Sequence, residues 1–561
     1  MSMTEPLPLE ILADFNPANL EGYLANDGRA PLVKVRAYPM GRGAGLLLQR
    51  RDDGSAQGSV VIVWTQPHRV SSAFAALLDG EQIDLSDVLN DVDLFADGIA
   101  SVAATARAVL VPAWLLPDAH RAFGLLAMRD AGGPVNVLSR MHLRLSERLA
   151  SSPNVYLLDA QPWLQAAGKD AHNPRLWFMS KIPFGNAVFK EAVAGIKAAL
   201  NAIAGNTRKL VVVDLDNTLW GGVLGDEGWE NLRLGGHDAA GEAYAEFQRA
   251  LKCLTRRGIV LGIVSKNDEP DAIEAISRHP EMVLRMTDFA GWRINWDDKA
   301  DNIASLAAAL NLGLQSVVFI DDNPVERDRV RAALPEVLTP DWPVNPLMFP
   351  QALASLDCFD TVAITGEDRR RAAAYQAEAV RVQERDKSGS YDEWLRGLKL
   401  KVRVSELNEA NITRIAQLLN KTNQMNLSTR RMTAAEIEAW ASTPGHKLWA
   451  FRVLDKFEDA GITGIASVAV GSDEARIVDF VLSCRVIGRQ VEEAMLYQAL
   501  TYASEHGARV VSAEYVPTPK NGPCLRFLER SGENGNGHIF RWDLQRPFAP
   551  PPHIELETAT R

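Results

Sequence analysis

A chain of 561 residues exceeds what one hydrophobic core usually organises, and at about 150 residues per domain it is expected to hold three units. Apolar residues make up 47% and charged residues 23%, with no uninterrupted apolar run long enough to cross a bilayer, so no membrane partner is expected. A net charge of -11 argues against a broad nucleic-acid surface, which needs clustered positive charge to displace counterions.

The first residues, Met1-Ser-Met-Thr-Glu-Pro-Leu-Pro8, lack the basic start and apolar core of a signal peptide, and a cytoplasmic location is expected. Residues 1–205 carry the short β-rich runs Val60–Trp64, Ala108–Pro112 and Val155–Asp159 between helix-like stretches. Strands so spaced need crossover helices, which predicts an α/β domain on a largely parallel sheet. Gly41-Arg-Gly43-Ala-Gly45 lacks the full dinucleotide-loop pattern and reads as a turn. The ten histidines show no close metal-ligand pairing, and His172, in Asp170-Ala-His172, is expected at the surface.

A second α/β unit, residues 206–360, has strands starting at Lys209 and running through Ile259–Val264 and Ser316–Ile320, each ending in polar residues. Residues 361–395 read as a helical linker, with a charged stretch from Gly366 to Lys387 followed by Ser388-Gly-Ser. An α+β domain is expected over 396–548, with strands Leu400–Val404 and Ile477–Leu482 and a helix opened by the capping box Thr433-Ala-Ala-Glu436. From Pro547 the tail is Pro-rich, and residues 549–561 are expected to be disordered.

The chemistry concentrates in the middle unit. The run Val211-Val-Val-Asp214-Leu-Asp216-Asn217-Thr218 places two carboxylates at the carboxyl edge of a parallel sheet, where α/β proteins bind ligands. Mg²⁺ prefers oxygen ligands and combines one or two carboxylates with substrate phosphate. Asp214 is then the candidate nucleophile, forming an aspartyl-phosphate, and Asp216 the candidate general acid and base, both also metal ligands. A second strand ends in Ser265-Lys266-Asn267-Asp268, offering a hydroxyl and amides to phosphate oxygens. Lys299 opens a helical stretch and is suited to offset phosphoryl charge. A third strand ends in Asp321-Asp322-Asn323-Pro324, where Asp321, then Asp322, complete the candidate metal ligands. Trp220 and Trp296 are expected in the core.

This ordered set resembles the haloacid dehalogenase (HAD) superfamily: Asp214 and Asp216, then Ser265, then Lys299, then Asp321 and Asp322. The surrounding words Leu219-Trp-Gly-Gly-Val-Leu-Gly-Asp226, Asn295-Trp296 and Asp321-Asp-Asn-Pro-Val-Glu326-Arg327 look more narrowly like subfamily IIIC and its FkbH-like proteins, over about residues 207–345. The resemblance implies an α/β multidomain chain with a central HAD Rossmann-like parallel sheet, Mg²⁺ as cofactor, and a phosphate-binding set of Thr218, Ser265, Lys266, Asn267 and Lys299. It also implies conversion of a small phosphorylated substrate, 1,3-bisphosphoglycerate, to a glyceryl thioester that is passed to a phosphopantetheinylated acyl carrier protein.

Such a transfer needs a thiol. Cys484 follows a strand beside Arg485 and Arg489 and precedes a helix, which favours thiolate and makes it the preferred catalytic cysteine. Cys524, opening another helix, competes. Cys253 reads as a buried small hydrophobe, and Cys358 has no basic neighbour in sequence. The turn Arg485-x-x-Gly488-Arg489 looks like the GNAT-type acyltransferase fold, in which the equivalent turn holds a pantetheine pyrophosphate, so Arg485 and Arg489 are candidate substrate ligands. The cluster Lys421–Arg431 is read either as a substrate or carrier-protein contact or as a solvated loop. The N-terminal region resembles an SGNH-hydrolase-like fold without its Gly-Asp-Ser motif, so hydrolase activity there is not expected. Two alternatives stand beside glyceryl transfer: a plain phosphomonoesterase, and a carrier-protein-binding scaffold with a vestigial site.

Overall fold

The computed structural model describes residues 6–40, 58–117, 123–130, 132–310, 312–364, 390–534 and 537–558. The Gly41–Gly45 turn and the helical stretch expected over Gly366–Lys387 lie outside these residues. The chain forms two compact units, the first of residues 1–201 with 433–435, the second of the remainder.

The first unit is built on a five-stranded sheet: β1 (Leu7–Ala13), β2 (Val33–Ala37), β3 (Val60–Trp64), β4 (Ala108–Pro112) and β5 (Val155–Leu158). All pairings are parallel, in the order β2-β1-β3-β4-β5. Every residue of β3 and β4 is buried, because helices cover both faces of the sheet and reward continuous Val, Ile and Leu. On one face helices Leu85–Ala103 and Pro134–Leu149 bring Val88, Val92, Ile99, Met141 and Leu145 onto Val61, Val63, Val109 and Val111. Elsewhere in the unit Phe15, Trp64, Phe184 and Phe189 pack ring against ring at centroid distances of 5.6 to 6.4 Å. The expected α/β parallel architecture is what forms. His172, expected at the surface, is instead half-buried against Phe184.

The second unit begins with four parallel strands, β6 (Leu210–Val213), β7 (Val260–Ser265), β8 (Phe289–Ile294) and β9 (Val317–Ile320), in the order β8-β7-β6-β9. Register decides what this sheet can do. Val213 pairs with Ile263 on one side and Ile320 on the other, so Asp214, Ser265 and Asp321 leave the sheet at one edge. That edge lies where the strand order reverses, the usual ligand crevice of an open α/β sheet.

The third sheet is mixed. It comprises β10 (Leu400–Glu406), β11 (Met425–Asn426), β12 (His446–Leu454), β13 (Asp459–Val470), β14 (Glu474–Leu482), β15 (Val510–Glu514), β16 (Glu533–Asn534), β17 (Ile539–Asp543) and β18 (Ile554–Thr558). Its path runs β16-β17-β15-β14-β13-β12-β10-β18, antiparallel except for β14 with β15 and β10 with β18. The parallel pairing of β14 and β15 covers only Glu474–Ile477, after which the strands diverge. The chain fills the resulting gap itself. Met425 and Asn426 pair with Leu482 and Val481, Leu427 N–H donates to Phe480 O at 3.1 Å, and Val516 N–H donates to Leu427 O at 3.0 Å.

Two expectations change here. The tail is not disordered up to Thr558: β18 pairs in parallel with β10, its Ile554 and Leu556 pack on the core, and Arg403 and Lys401 meet Glu557 and Glu555. Proline punctuates the approach to this strand, which otherwise alternates as an edge strand does. Truncation after His553 is expected to cost about 2 kcal/mol, mostly from those two half-buried side chains rather than the exposed ion pairs, read as a lower urea midpoint. The second and third sheets also share one compact unit, because Lys209 Nζ donates to Lys421 O at 2.8 Å and Cys484 packs on the cluster containing Leu210 and Leu312. Among the described residues no helix is long and apolar enough to cross a membrane.

Candidate active site

Three strand ends and one helix start converge at the carboxyl edge of β6, β7 and β9. Asp214, directly after β6, is 6% exposed, and its Oδ2 lies 2.9 Å from Lys299 Nζ. Its Oδ1 is buried without a hydrogen-bond partner. Lys299 opens the helix Lys299–Ala309, whose N-cap Asp298 accepts from Ala300 N–H at 2.8 Å. That cap aims the lysine stem inward. Lys299 Nζ also lies 2.6 Å from Asp321 Oδ2. Burial opposes the lysine's charge, but the carboxylates of Asp214 and Asp321 outweigh it and hold the ammonium well above its usual range.

Asp321 is fully buried, and its Oδ1 accepts from Asn323 N–H at 2.8 Å. Burial, then the neighbouring Asp214, pushes Asp321 up to about 7 and raises Asp322 as well. Oxygens of Asp214, Asp321 and Asp322 all come within 4.8 Å of one another, the one such acidic cluster among the described residues. Three crowded carboxylates, an orphan oxygen and a single ammonium are an incomplete charge balance that a hard divalent cation fits.

Asp216 departs from expectation. Its Oδ1 accepts from Trp220 Nε1 at 3.0 Å and Leu224 N–H at 3.2 Å, and its Oδ2 accepts from Asn267 Nδ2 at 3.0 Å. The carboxylate therefore stands apart from the cluster and is not one of its side-chain metal ligands. Burial raises its pKa, in keeping with a proton carrier. Asn217, at φ 54°, turns the chain immediately after the two aspartates, with its Oδ1 accepting from Gly222 N–H at 3.1 Å.

Ser265 and Asn267 are both buried at the site, with Asn267 Nδ2 donating to Ser265 Oγ at 3.2 Å. Lys266 pairs with Glu326 at 2.6 Å. Thr218 is fully buried, and its hydroxyl donates to Asp322 Oδ1 at 3.3 Å while accepting from Asp322 N–H at 3.1 Å. It ties two strand-end loops together rather than facing a ligand. Arg327 had no role assigned from sequence. It is buried, and its Nη1 donates to the carbonyls of Asp321 and Asp322 at 2.7 Å, fixing the turn that presents both acids. Its place one turn into the helix after Asp321-Asp-Asn-Pro was the available signal. Trp220 is in the core as expected, but Trp296 is 73% exposed on the loop before Lys299.

The cysteines resolve differently. Cys524 is fully buried and pushed up to about 12 by burial, and Cys358 is likewise pushed up to about 12, so neither suits thiolate chemistry. Cys253 is exposed, not buried. Cys484 is half-buried on a short turn after β14, in a groove lined also by Lys209, Arg414, Lys421 and Arg485, and by no carboxylate among the described residues. That groove touches Lys209 and Ser316, which precede β6 and β9. Cys484 thus lies near the amino end of β6 and Asp214 at its carboxyl end, with the four residues of the strand, roughly 13 Å of rise, between those ends. Arg489 is not a substrate ligand: it is 2% exposed and paired with buried Asp455 at 3.2 Å. The Lys421–Arg431 cluster divides. Lys421, Thr422, Asn423 and Gln424 line the Cys484 groove, Arg430 pairs with buried Asp479 at 3.3 Å, and Arg431 donates to Leu419 O and Asn423.

No protein-family model matches the chain, and no curated protein matches it. Among solved structures it is similar to the N-terminal part of the protein BF1531 from Bacteroides fragilis, which contains a phosphatase domain complexed with Mg, at 26% identity and a TM-score of 0.58. The match covers 64% of this chain and 95% of that one. An acetyltransferase of the GNAT family from Staphylococcus aureus aligns with 26% of this chain and 99% of its own, at 10% identity and a TM-score of 0.21. The fold is mixed α/β, with a HAD-like four-stranded parallel sheet followed in the chain by a mixed sheet.

Proposed function

We propose that this protein is a Mg²⁺-dependent phosphoryl-transfer enzyme of the HAD type, with Asp214 as nucleophile. The observation that carries the reading is the orphan Oδ1 of Asp214 beside Lys299, Asp321 and Asp322. Asp214, Asp321 and Asp322 would hold the ion, which supplies neutralisation of phosphate charge when bound. Asp214 Oδ attacks phosphorus, the bond from phosphorus to the leaving oxygen breaks, and Asp216 gives that oxygen its proton. Asp216 then takes a proton from the water that hydrolyses the aspartyl-phosphate. Lys299 and the Ser265–Asn267 pair hold the phosphoryl oxygens. The Mg of the Bacteroides structure supports this choice of ion.

The finer reading joins this site to acyl transfer. Asp214 first removes the ester phosphate of 1,3-bisphosphoglycerate as inorganic phosphate, the Cys484 thiolate then attacks the acyl carbon of the remaining acyl phosphate, a second inorganic phosphate leaves, and a glyceryl thioester forms. The thiol of a phosphopantetheinylated acyl carrier protein then takes the acyl group and releases the cysteine. The cations lining the Cys484 groove attract an approaching phosphate. Because Cys484 and Asp214 lie toward opposite ends of β6, the two chemistries act on substrates delivered separately. Cys484→Ala is expected to keep phosphate release at Asp214 within about twofold while abolishing carrier loading, read by intact mass after incubation with Mg²⁺, 1,3-bisphosphoglycerate and carrier. Normal loading by that variant would rule out the thioester relay through Cys484, and absence of loading by the unaltered protein would leave the phosphomonoesterase reading standing alone.

A further inference from the structure

A cavity of about 310 Å³ in the third sheet's domain lies at the start of the helix Val491–Glu505, the position expected from sequence to cradle a pyrophosphate. Its lining mixes two arginines, Arg526 and Arg530, with two carboxylates rather than presenting a cationic cradle. The first helical turn carries Glu492 and Glu493, whose charges already answer the positive end of the helix. Glu492 is 5% exposed, lines the cavity, and has an Oε2 with no hydrogen-bond partner. Glu493 also leaves its Oε2 unpartnered, while its Oε1 lies 3.9 Å from Arg530. Buried carboxyl oxygens without partners are costly and call for an occupant. Met425, Ile487, Pro523 and Phe527 supply an apolar wall beside them.

We propose that this cavity is a binding site for a primary ammonium on a short apolar body, with Glu492 as its counter-ion and the wall of Met425, Ile487 and Phe527 receiving the hydrocarbon. The volume is within the range of small-ligand pockets, and a charge-assisted hydrogen bond to ammonium satisfies the orphan oxygen. The other charged or titratable groups facing the cavity are Tyr391, Glu493, Arg526 and Arg530. Arg530 lies 3.9 Å from Glu493 and its charge also reaches Glu492, but Glu492 has no ion pair among the described residues, and the Tyr391 hydroxyl donates to Gly488 O, so Glu492 is the acid left for a ligand. Burial, then the like charge of Glu493, raises Glu492 to about 7, so its carboxylate form is gained as pH rises through neutrality. The site is separate from the Asp214 cluster and does not depend on the phosphoryl reading.

Calorimetric titration of the full chain with n-hexylammonium chloride and, separately, n-hexanol tests the assignment. Binding of the ammonium and not the alcohol is expected, weakened at least about tenfold in Glu492→Gln and from pH 8 to pH 6 in the unaltered protein. Equal affinity for the two probes, an unweakened Glu492→Gln, or a pH-independent affinity would each overturn it, and the pH series needs no variant to fold. Displacement of the ammonium by inorganic pyrophosphate would also overturn it, by making the cavity an anion site.

Discussion

Asp214→Asn is expected to lower Mg²⁺-dependent phosphate release by about 10³-fold or more, with little change in stability. The amide keeps the shape of the side chain and its contact with Lys299. It removes the proposed nucleophilic oxygen and one of the three carboxylates of the acidic cluster that would hold the cation. The loss should fall on kcat, since the phosphate-binding residues remain. A variant with near-normal turnover would mean that phosphorus is attacked by something else and that the acidic cluster is vestigial. The assay is phosphate release from a generic phosphomonoester over a Mg²⁺ titration.

Lys299→Met is expected to destabilise the protein by about 3–5 kcal/mol in EDTA and to reduce turnover severely. Lys299 is the ammonium bonded to both Asp214 and Asp321, and its loss leaves two buried carboxylates facing each other. Excess Mg²⁺ should restore part of the stability, about 2.7 kcal/mol at a hundredfold excess over its dissociation constant. Urea midpoints with EDTA and with Mg²⁺ check both halves. A variant as stable as the parent in EDTA would show that those acids are protonated there and that Lys299 is not their balance.

Much of this site was legible because its residues end strands. Apolar runs closing in Asp214, Ser265 and Asp321 are local signals, and parallel register then brings them to one edge without further information. What escaped sequence reading depends on where side chains turn after the backbone is set. Asp216 shares Asp214's side of the strand, yet the loop that follows folds back so that Trp220 and Leu224 claim its carboxylate. Arg485 and Arg489 are equally basic in sequence, but only Arg489 reaches buried Asp455 and is used up in packing. Cys484 follows its strand as expected, yet the contacts of the third sheet with residues before β6 and β9 place it toward the opposite end of β6 from Asp214. Trp220 and Trp296 look alike in sequence, and one is core while the other is exposed. The fold class was the easier inference, since alternating strands and helices permit few sheets, whereas β18 was hidden by a proline-rich approach.

The central claim is that Asp214 itself accepts the phosphoryl group. It is tested most directly by rapid acid quench of the enzyme turning over para-nitrophenyl phosphate with Mg²⁺, followed by borohydride reduction and peptide mass analysis. Reduction of an aspartyl-phosphate leaves homoserine, so the account predicts that conversion in the peptide containing Asp214, and its absence in EDTA. Phosphate release at the same rate with Asp214 unmodified, or conversion at another aspartate, would contradict it.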